Sequence, residues 1–253
     1  MVLASVLPDR PSEATPYFTT GWPVRFADTD GAGRLRLDAV ARYLQDVGYE
    51  NLDAVDDSEN HPGWVTRRNV IDVHAPIEFR ERVDLQRWCS ALSNRWCNMR
   101  IRIDGSNGGR IEAEQFLIHV STDTGMPARM SDEFMAPMLA GTAEHRLRWK
   151  PALTEPLPAD AASLEHVSFP LRIADIDLLD MVNNAVHLGG LEEVLAHHPD
   201  LVSRPHRVVI EYAKPLRTGD KLTLGARRTD AALDLWFAVD SDLRATARVT
   251  PPP

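Results

Sequence analysis

Apolar residues recur along this chain with two periods. In "LDAVARYLQDVG" (37–48), Leu37, Val40, Tyr43, Leu44 and Val47 share one face of a helix, with Gly48 as its natural stop. A second helical stretch takes Asn183 or Asn184 as its cap and puts Leu188, Leu191 and Leu195 on one face. Elsewhere the period is two. "NVIDVHAPIEFRERVDLQRW" (69–88), "NMRIRID", "EAEQFLIHVST", "RVVIEYAKPLRTGDKLTLGA" (207–226), "ALDLWFAVD" and "LRATARVT" read as strands. Pro76 and Pro215 interrupt two of them and predict a bend or bulge there.

The order of elements repeats. "RFADTD" (25–30) and "RIADID" (172–177) share Arg, Ala and both Asp residues in register, and each leads through a short turn into one of the helices. Each half therefore reads as a strand, a long helix and several antiparallel strands, an α+β pattern in which the helix covers one face of a sheet. An isolated half leaves strand edges exposed, so the two are expected to pair as a pseudo-dimer. Between them "RWKPALTEPLPADAAS" is proline-rich and aperiodic, which predicts a linker.

Composition narrows the partners. A net charge of −9 over 253 residues argues against nucleic acid or an anionic membrane surface. Two cysteines, Cys89 and Cys97, make no disulfide framework; on strands they read as buried small residues, and a reduced cytoplasm is the expected location. No metal-ligand spacing is present, so no metal is expected, and no apolar run is long enough for a membrane span. "MVLASVLPDRPSEATP" lacks a basic n-region and reads as a loose tail rather than a signal peptide.

The "DxD" entry to each helix, the "xxxPxxxGD" strand, and "WVTRRNVIDVHAP", "RWCSALSNRW" and "VNNAVHLGGLEE" in that order resemble the acyl-ACP thioesterase family over roughly residues 17–250. The resemblance implies a tandem (double) hotdog fold, with two antiparallel sheets each wrapping a long helix. It divides the chain into a tail (1–16), a first hotdog domain (17–145), a linker (146–164) and a second hotdog domain (165–253). It also implies hydrolysis of fatty acyl thioesters of acyl carrier protein (ACP) or coenzyme A without a cofactor, and leaves a homodimer possible. The family's second-half motif is matched here by Asp175, Asp177, Val182, Asn183, Asn184 and Glu193. Its catalytic Asn falls on Leu179 and its catalytic His on Met181; His187 replaces a Tyr and Gly190 a bulky aromatic. A non-catalytic acyl-thioester binding protein is the alternative that these replacements raise.

Thioester hydrolysis needs a positioned water, a group to take its proton and donors for the oxyanion. The expected catalytic set is Asp177, to orient or activate the water; Asn183, at the helix start; His187, one turn on; and Glu193. Asn184, Gly189, Gly190 and Asp30 are the expected substrate-binding residues. The glycines either leave room for an acyl chain or pack tightly on a strand, and Asp30 would serve a site between the halves. Trp64, Trp88, Trp96, Met99 and Phe116 are core by default, and some are candidates to line an acyl tunnel.

Overall fold

The computed structural model describes residues 7–10, 16–160 and 163–252. The first long helix, α1 (Leu37–Asp53), buries Leu37, Val40, Tyr43, Leu44 and Val47 as its periodicity requires. It runs past Gly48, because one glycine costs a helix only about 1 kcal/mol and Leu52 beyond it packs on the core. Around α1 curl β1 (Phe18–Pro23), β2 (Trp64–Ala75), β3 (Arg82–Leu92), β4 (Trp96–Gly105) and β5 (Arg110–His119). A shorter helix, α2 (Asp132–Gly141), follows. The second half repeats the plan with β6 (Glu165–Val167), α3 (Asn184–Leu195), a single turn α4 (Pro199–Val202), β7 (His206–Tyr212), β8 (Leu222–Arg228), β9 (Leu233–Val239) and β10 (Asp242–Thr250).

The two expected sheets are one. Strand order is β1-β3-β4-β5-β2-β7-β10-β9-β8-β6, and the halves join where β2 pairs antiparallel with β7, Arg68 opposite Glu211 through Val73 opposite His206. Fusion satisfies the inner edge of each half, which would otherwise present unpaired N–H and C=O groups. Buried ion pairs fix the seam on its outer face: Arg207 grips Asp72 at 2.6 Å through both Nε and Nη2, and Arg68 Nη1 donates to Glu211 at 3.0 Å. On the concave face α1 and α3 lie side by side. This is the double-hotdog arrangement. Pro76 and Pro215 lie beyond the ends of β2 and β7; a register shift between Val73 and Ala75 makes β2 irregular just before Pro76, where the sequence predicts a bulge.

Two segments depart from expectation. The N-terminal stretch is not loose at Leu7–Arg10: Leu7 is buried against Val70 and Val209, and Arg100 Nε donates to the Pro8 carbonyl at 2.9 Å. The proline-rich connection is pinned across the outer face of the sheet by Arg68 on the Lys150 carbonyl, Glu211 on the Ala152 N–H and Arg248 on Glu155. α2 has no counterpart in the strand-and-helix pattern. Its start is held by a polar knot in which Ser131 accepts from the Phe134 N–H and donates to Asp57, while His61 bridges Ser131 and His119 at 3.1 Å each.

Candidate active site at the second helix N-terminus

The repeat extends to individual hydrogen bonds. Before α1, Asp30 Oδ1 accepts the Ala32 N–H, the Asp30 N–H donates to the Arg34 carbonyl, and the Arg36 N–H donates to the Asp28 carbonyl. Before α3, Asp177 Oδ1 accepts the Leu179 N–H, the Asp177 N–H donates to the Met181 carbonyl, and the Asn183 N–H donates to the Asp175 carbonyl. Each pair of positions differs by the offset between the "RFADTD" and "RIADID" copies, so the two helix entries are one structure built twice.

Their ends are treated differently. At α1 the first helical N–H, that of Leu37, donates to Glu192 Oε1 at 2.6 Å, and Glu192 Oε2 receives Arg34 Nη2 at 2.7 Å. Arg34 also binds Asp30 at 3.0 Å. Burial pushes the Asp30 carboxyl up, but the Arg34 N–H and guanidinium outweigh it and hold it below the usual range. Across the pseudo-twofold, the equivalent of Leu37 is Asn184, of Arg34 is Met181 and of Glu192 is Gln45. Met181 has no charge to offer and Gln45 forms no hydrogen bond with α3. Among the described residues the Asn184 N–H accordingly has no acceptor, while Asn183 Oδ1 caps the next N–H, that of Ala185, at 2.9 Å. One helix N-terminus is plugged; the other is open.

The open end faces a cavity of about 1340 Å³. Its wall at α3 contains Asp177, Asn183, Asn184, His187 and Tyr212, with Gln45 from α1. It continues beneath the first-half sheet past Leu44, Leu52, Trp64, Cys89, Cys97, Met99 and Leu117 to Phe134 and Met138 of α2. Asp177 is half-buried, and its Oδ2 meets only Asn183 Nδ2, at 3.4 Å. Leu178, Leu179, Lys214 and Arg217 are exposed where the cavity opens. Both thiols are buried, and burial raises their pKa values, that of Cys97 to about 12.

His187 is 4% exposed, its ring edge-on to Tyr212 at 5.2 Å and tilted on Phe237 at 5.4 Å. Neither ring nitrogen has a hydrogen-bond partner. Burial lowers its pKa to about 4, opposed only in part by the nearby backbone of Asn183 and Asn184. A folded pKa below the unfolded value near 6.5 means that the unfolded chain takes up a proton first as pH falls. The stabilisation is complete above about pH 6.5 and is lost between there and pH 4, an effect of about 3 kcal/mol. His187→Leu should flatten that limb in denaturant titrations at stepped pH; an unchanged slope between wild type and variant refutes the assignment. His119 and His206, also lowered by burial, remain in both proteins and cancel in the comparison.

The remaining expected site residues fall elsewhere. Glu193 is exposed and not part of the cavity wall; its neighbour Glu192, one residue and 100° round the helix, is the carboxylate that turns inward. Asp30 lies in the plugged entry with Arg34, also off the cavity wall. Gly189 and Gly190 leave no room for an acyl chain. A Cβ on Gly190 would stand 3.1 Å from Leu224 Cδ2 and 3.3 Å from Phe237 Cε1, so the glycine lets α3 sit close on β8 and β9; one on Gly189 would touch Asp38 of α1. Gln45, one of the polar residues that the first half offers, is on the cavity wall, and so is Arg87, which the sequence does not mark as a site residue. The repeat offset would have found Gln45, because it places that residue opposite the α3 N-terminus.

The fold and the joined cavity define a double-hotdog protein with one open helix N-terminus. Residues 16–138 match the acyl-ACP thioesterase N-terminal domain and residues 159–240 the acyl-ACP thioesterase C-terminal domain; the chain belongs to the acyl-ACP thioesterase family. It is 44% identical over 241 residues to an uncharacterized protein of Mycobacterium tuberculosis, covering 95% of this chain and 94% of that one. A putative oleoyl thioesterase from Lactobacillus plantarum shares the fold, with a TM-score of 0.75 at 17% identity over 95% of this chain and 99% of that one. An acyl-ACP thioesterase from Bacteroides thetaiotaomicron does so with a TM-score of 0.74 at 13% identity, over 92% and 97%. Among the described residues no helix is long and apolar enough to cross a membrane.

Proposed function

We propose that the protein hydrolyses acyl thioesters carried on ACP or coenzyme A, releasing the free acid. The observation that carries this reading is the junction of a long, mostly apolar cavity with a helix N-terminus whose first N–H, that of Asn184, has no acceptor among the described residues, beside a half-buried carboxylate. The acyl chain occupies the cavity. The thioester carbonyl accepts from the Asn184 N–H, where the helix dipole favours the negative charge that develops on oxygen. Asp177 Oδ2 orients a water and takes its proton as the water oxygen bonds to the carbonyl carbon. Collapse of the tetrahedral intermediate expels the thiolate, which recovers the proton, and leaves the carboxylic acid. Asn183 holds Asp177 and caps α3. Gln45 faces the same point from α1 and offers an amide donor to the carbonyl. His187 is uncharged at neutral pH and, with both ring nitrogens buried, packs as part of the cavity wall rather than acting as a proton acceptor.

The test is turnover of a panel of acyl-ACP and acyl-CoA thioesters by the purified protein. Hydrolysis well above the uncatalysed rate supports the reading. Tight binding of acyl-ACP with no turnover at any chain length favours the alternative, an acyl-thioester binding protein.

The rim bears on the carrier. The chain is acidic overall, yet Arg67, Lys214 and Arg217 stand around the cavity. Lys214 is paired with Asp242 and Arg67 donates to the Ala213 carbonyl, whereas Arg217 makes no ion pair among the described residues. A phosphate-bearing carrier arm suits that cation. Arg217→Glu should raise KM by about 2–5-fold with little change in kcat, and the difference should shrink at high salt. A salt-independent change, or none, removes Arg217 from carrier recognition.

A further inference from the structure

The deep part of the cavity contains a charge with no counter-charge. Arg87 lies on β3, opposite Phe18 of β1 and Ile101 of β4, and its side chain turns to the concave face among the core residues. It is 9% exposed and lines the cavity wall. One guanidinium nitrogen, Nη1, donates to Asn51 Oδ1 at 2.5 Å; Nε has no hydrogen-bond partner among the described residues. Every other deeply buried arginine on the sheet has a carboxylate: Arg68 has Glu211, Arg100 has Glu112 and Arg207 has Asp72. Among the described residues Arg87 has none. The groups that act on it electrostatically are the thiols of Cys89 and Cys97, both kept neutral by burial.

A guanidinium does not shed its proton in a protein, so the charge stays. Burying it against an amide and two neutral thiols is costly, and truncation of a simple fatty-acid tunnel to apolar residues would remove that cost. An acyl pocket meant only for methylene groups gains nothing from it. The guanidinium lies on the wall of a mostly apolar cavity, and its planar set of N–H donors matches a carboxylate in both shape and charge.

We infer that the preferred acyl group carries a second carboxylate, remote from the thioester, which docks on Arg87. The substrate class is thus a carboxyacyl thioester, and hydrolysis with one water yields a dicarboxylic acid and the free thiol. The chemistry at α3 is unchanged; Arg87 reads the far end of the chain and is a specificity residue. This inference rests on the acyl-thioester reading of the cavity, and binding is therefore measured apart from turnover.

The experiment uses matched sets of CoA compounds of short, medium and long chain, each ending in a methyl, a hydroxyl or a carboxylate. Each is made both as the hydrolysable thioester and as the inert thioether. Wild type should bind the carboxylate-ended thioether at least about tenfold more tightly than its methyl-ended partner of equal length, the gain expected of a charge-assisted pair. The same ratio should appear in kcat/KM for the thioesters. Arg87→Gln, which can still reach Asn51, and Arg87→Met should both abolish the preference while their melting profiles show a folded protein. Equal or tighter binding of methyl- or hydroxyl-ended compounds by wild type overturns the inference, as does a carboxylate preference that survives both substitutions. Carboxylate-selective binding without turnover would sustain Arg87's role and defeat hydrolysis; turnover without selectivity would do the reverse.

Discussion

Asp177→Ala should lower kcat/KM for the best thioester substrate by about 10²–10⁴-fold, the usual loss when a positioned base is removed. The carboxylate performs two tasks that the geometry separates. Oδ1 accepts the Leu179 N–H and shapes the turn, as Asp30 Oδ1 does at the closed entry with Ala32. Oδ2 meets only the long contact from Asn183 and faces the cavity. Asp177→Asn keeps an acceptor for the Leu179 N–H but takes no proton from water. If proton transfer is the task, the Asn and Ala variants should fall together in kcat with KM little moved, and the Asn variant should keep its stability. If the turn is the task, Asn should restore most of the activity that Ala loses. An Asn variant within a few-fold of wild type would end the general-base assignment.

Much of the fold was legible because it is periodic and repeated. The a/d-like stripe of α1 and the alternating strands answer to helix and strand geometry, and the copied Arg-x-Ala-Asp-x-Asp entry announces duplication before any contact is known. What was not legible depends on distant neighbours. Nothing local in β2 or β7 says that they pair with each other, since either edge of a half-sheet carries the same backbone groups. α2 lacked a signal because "DEFMAPMLAG" has a proline at position 137 and only Phe134 and Met135 fully buried among its larger side chains. Arg87 sits at an inward position of an alternating strand, where the pattern assigns an apolar residue, and only its missing partner marks it as unusual. Glu192 and Glu193 are adjacent letters with opposite fates. Matching a motif by eye selects between them on spacing, whereas the helix decides by rotation.

The two helix entries also explain why a chain with two copies of the motif presents one candidate site. In a true dimer of identical halves both N-termini would be alike. Here Arg34 and Glu192 close one, while their counterparts Met181 and Gln45 leave the other open, so the apolar Met181 reads as absence of a plug as much as absence of a histidine. Glu192→Ala should therefore act on stability and leave the chemistry at α3 alone. It strips the Leu37 N–H of its acceptor and leaves Arg34, 18% exposed at its side chain, with Asp30 as its one carboxylate among the described residues. Losing the cap costs about 1 kcal/mol, and breaking a largely buried pair brings the total to about 3 kcal/mol. Glu192→Gln keeps an oxygen for the Leu37 N–H and should lose about half as much. Denaturant unfolding measures both, and kcat/KM at a temperature where each variant stays folded should match wild type. A loss under about 0.5 kcal/mol for Glu192→Ala, the ordinary scale of a surface substitution, would mean that the α1–α3 bridge contributes little and that closure of the first entry needs another cause.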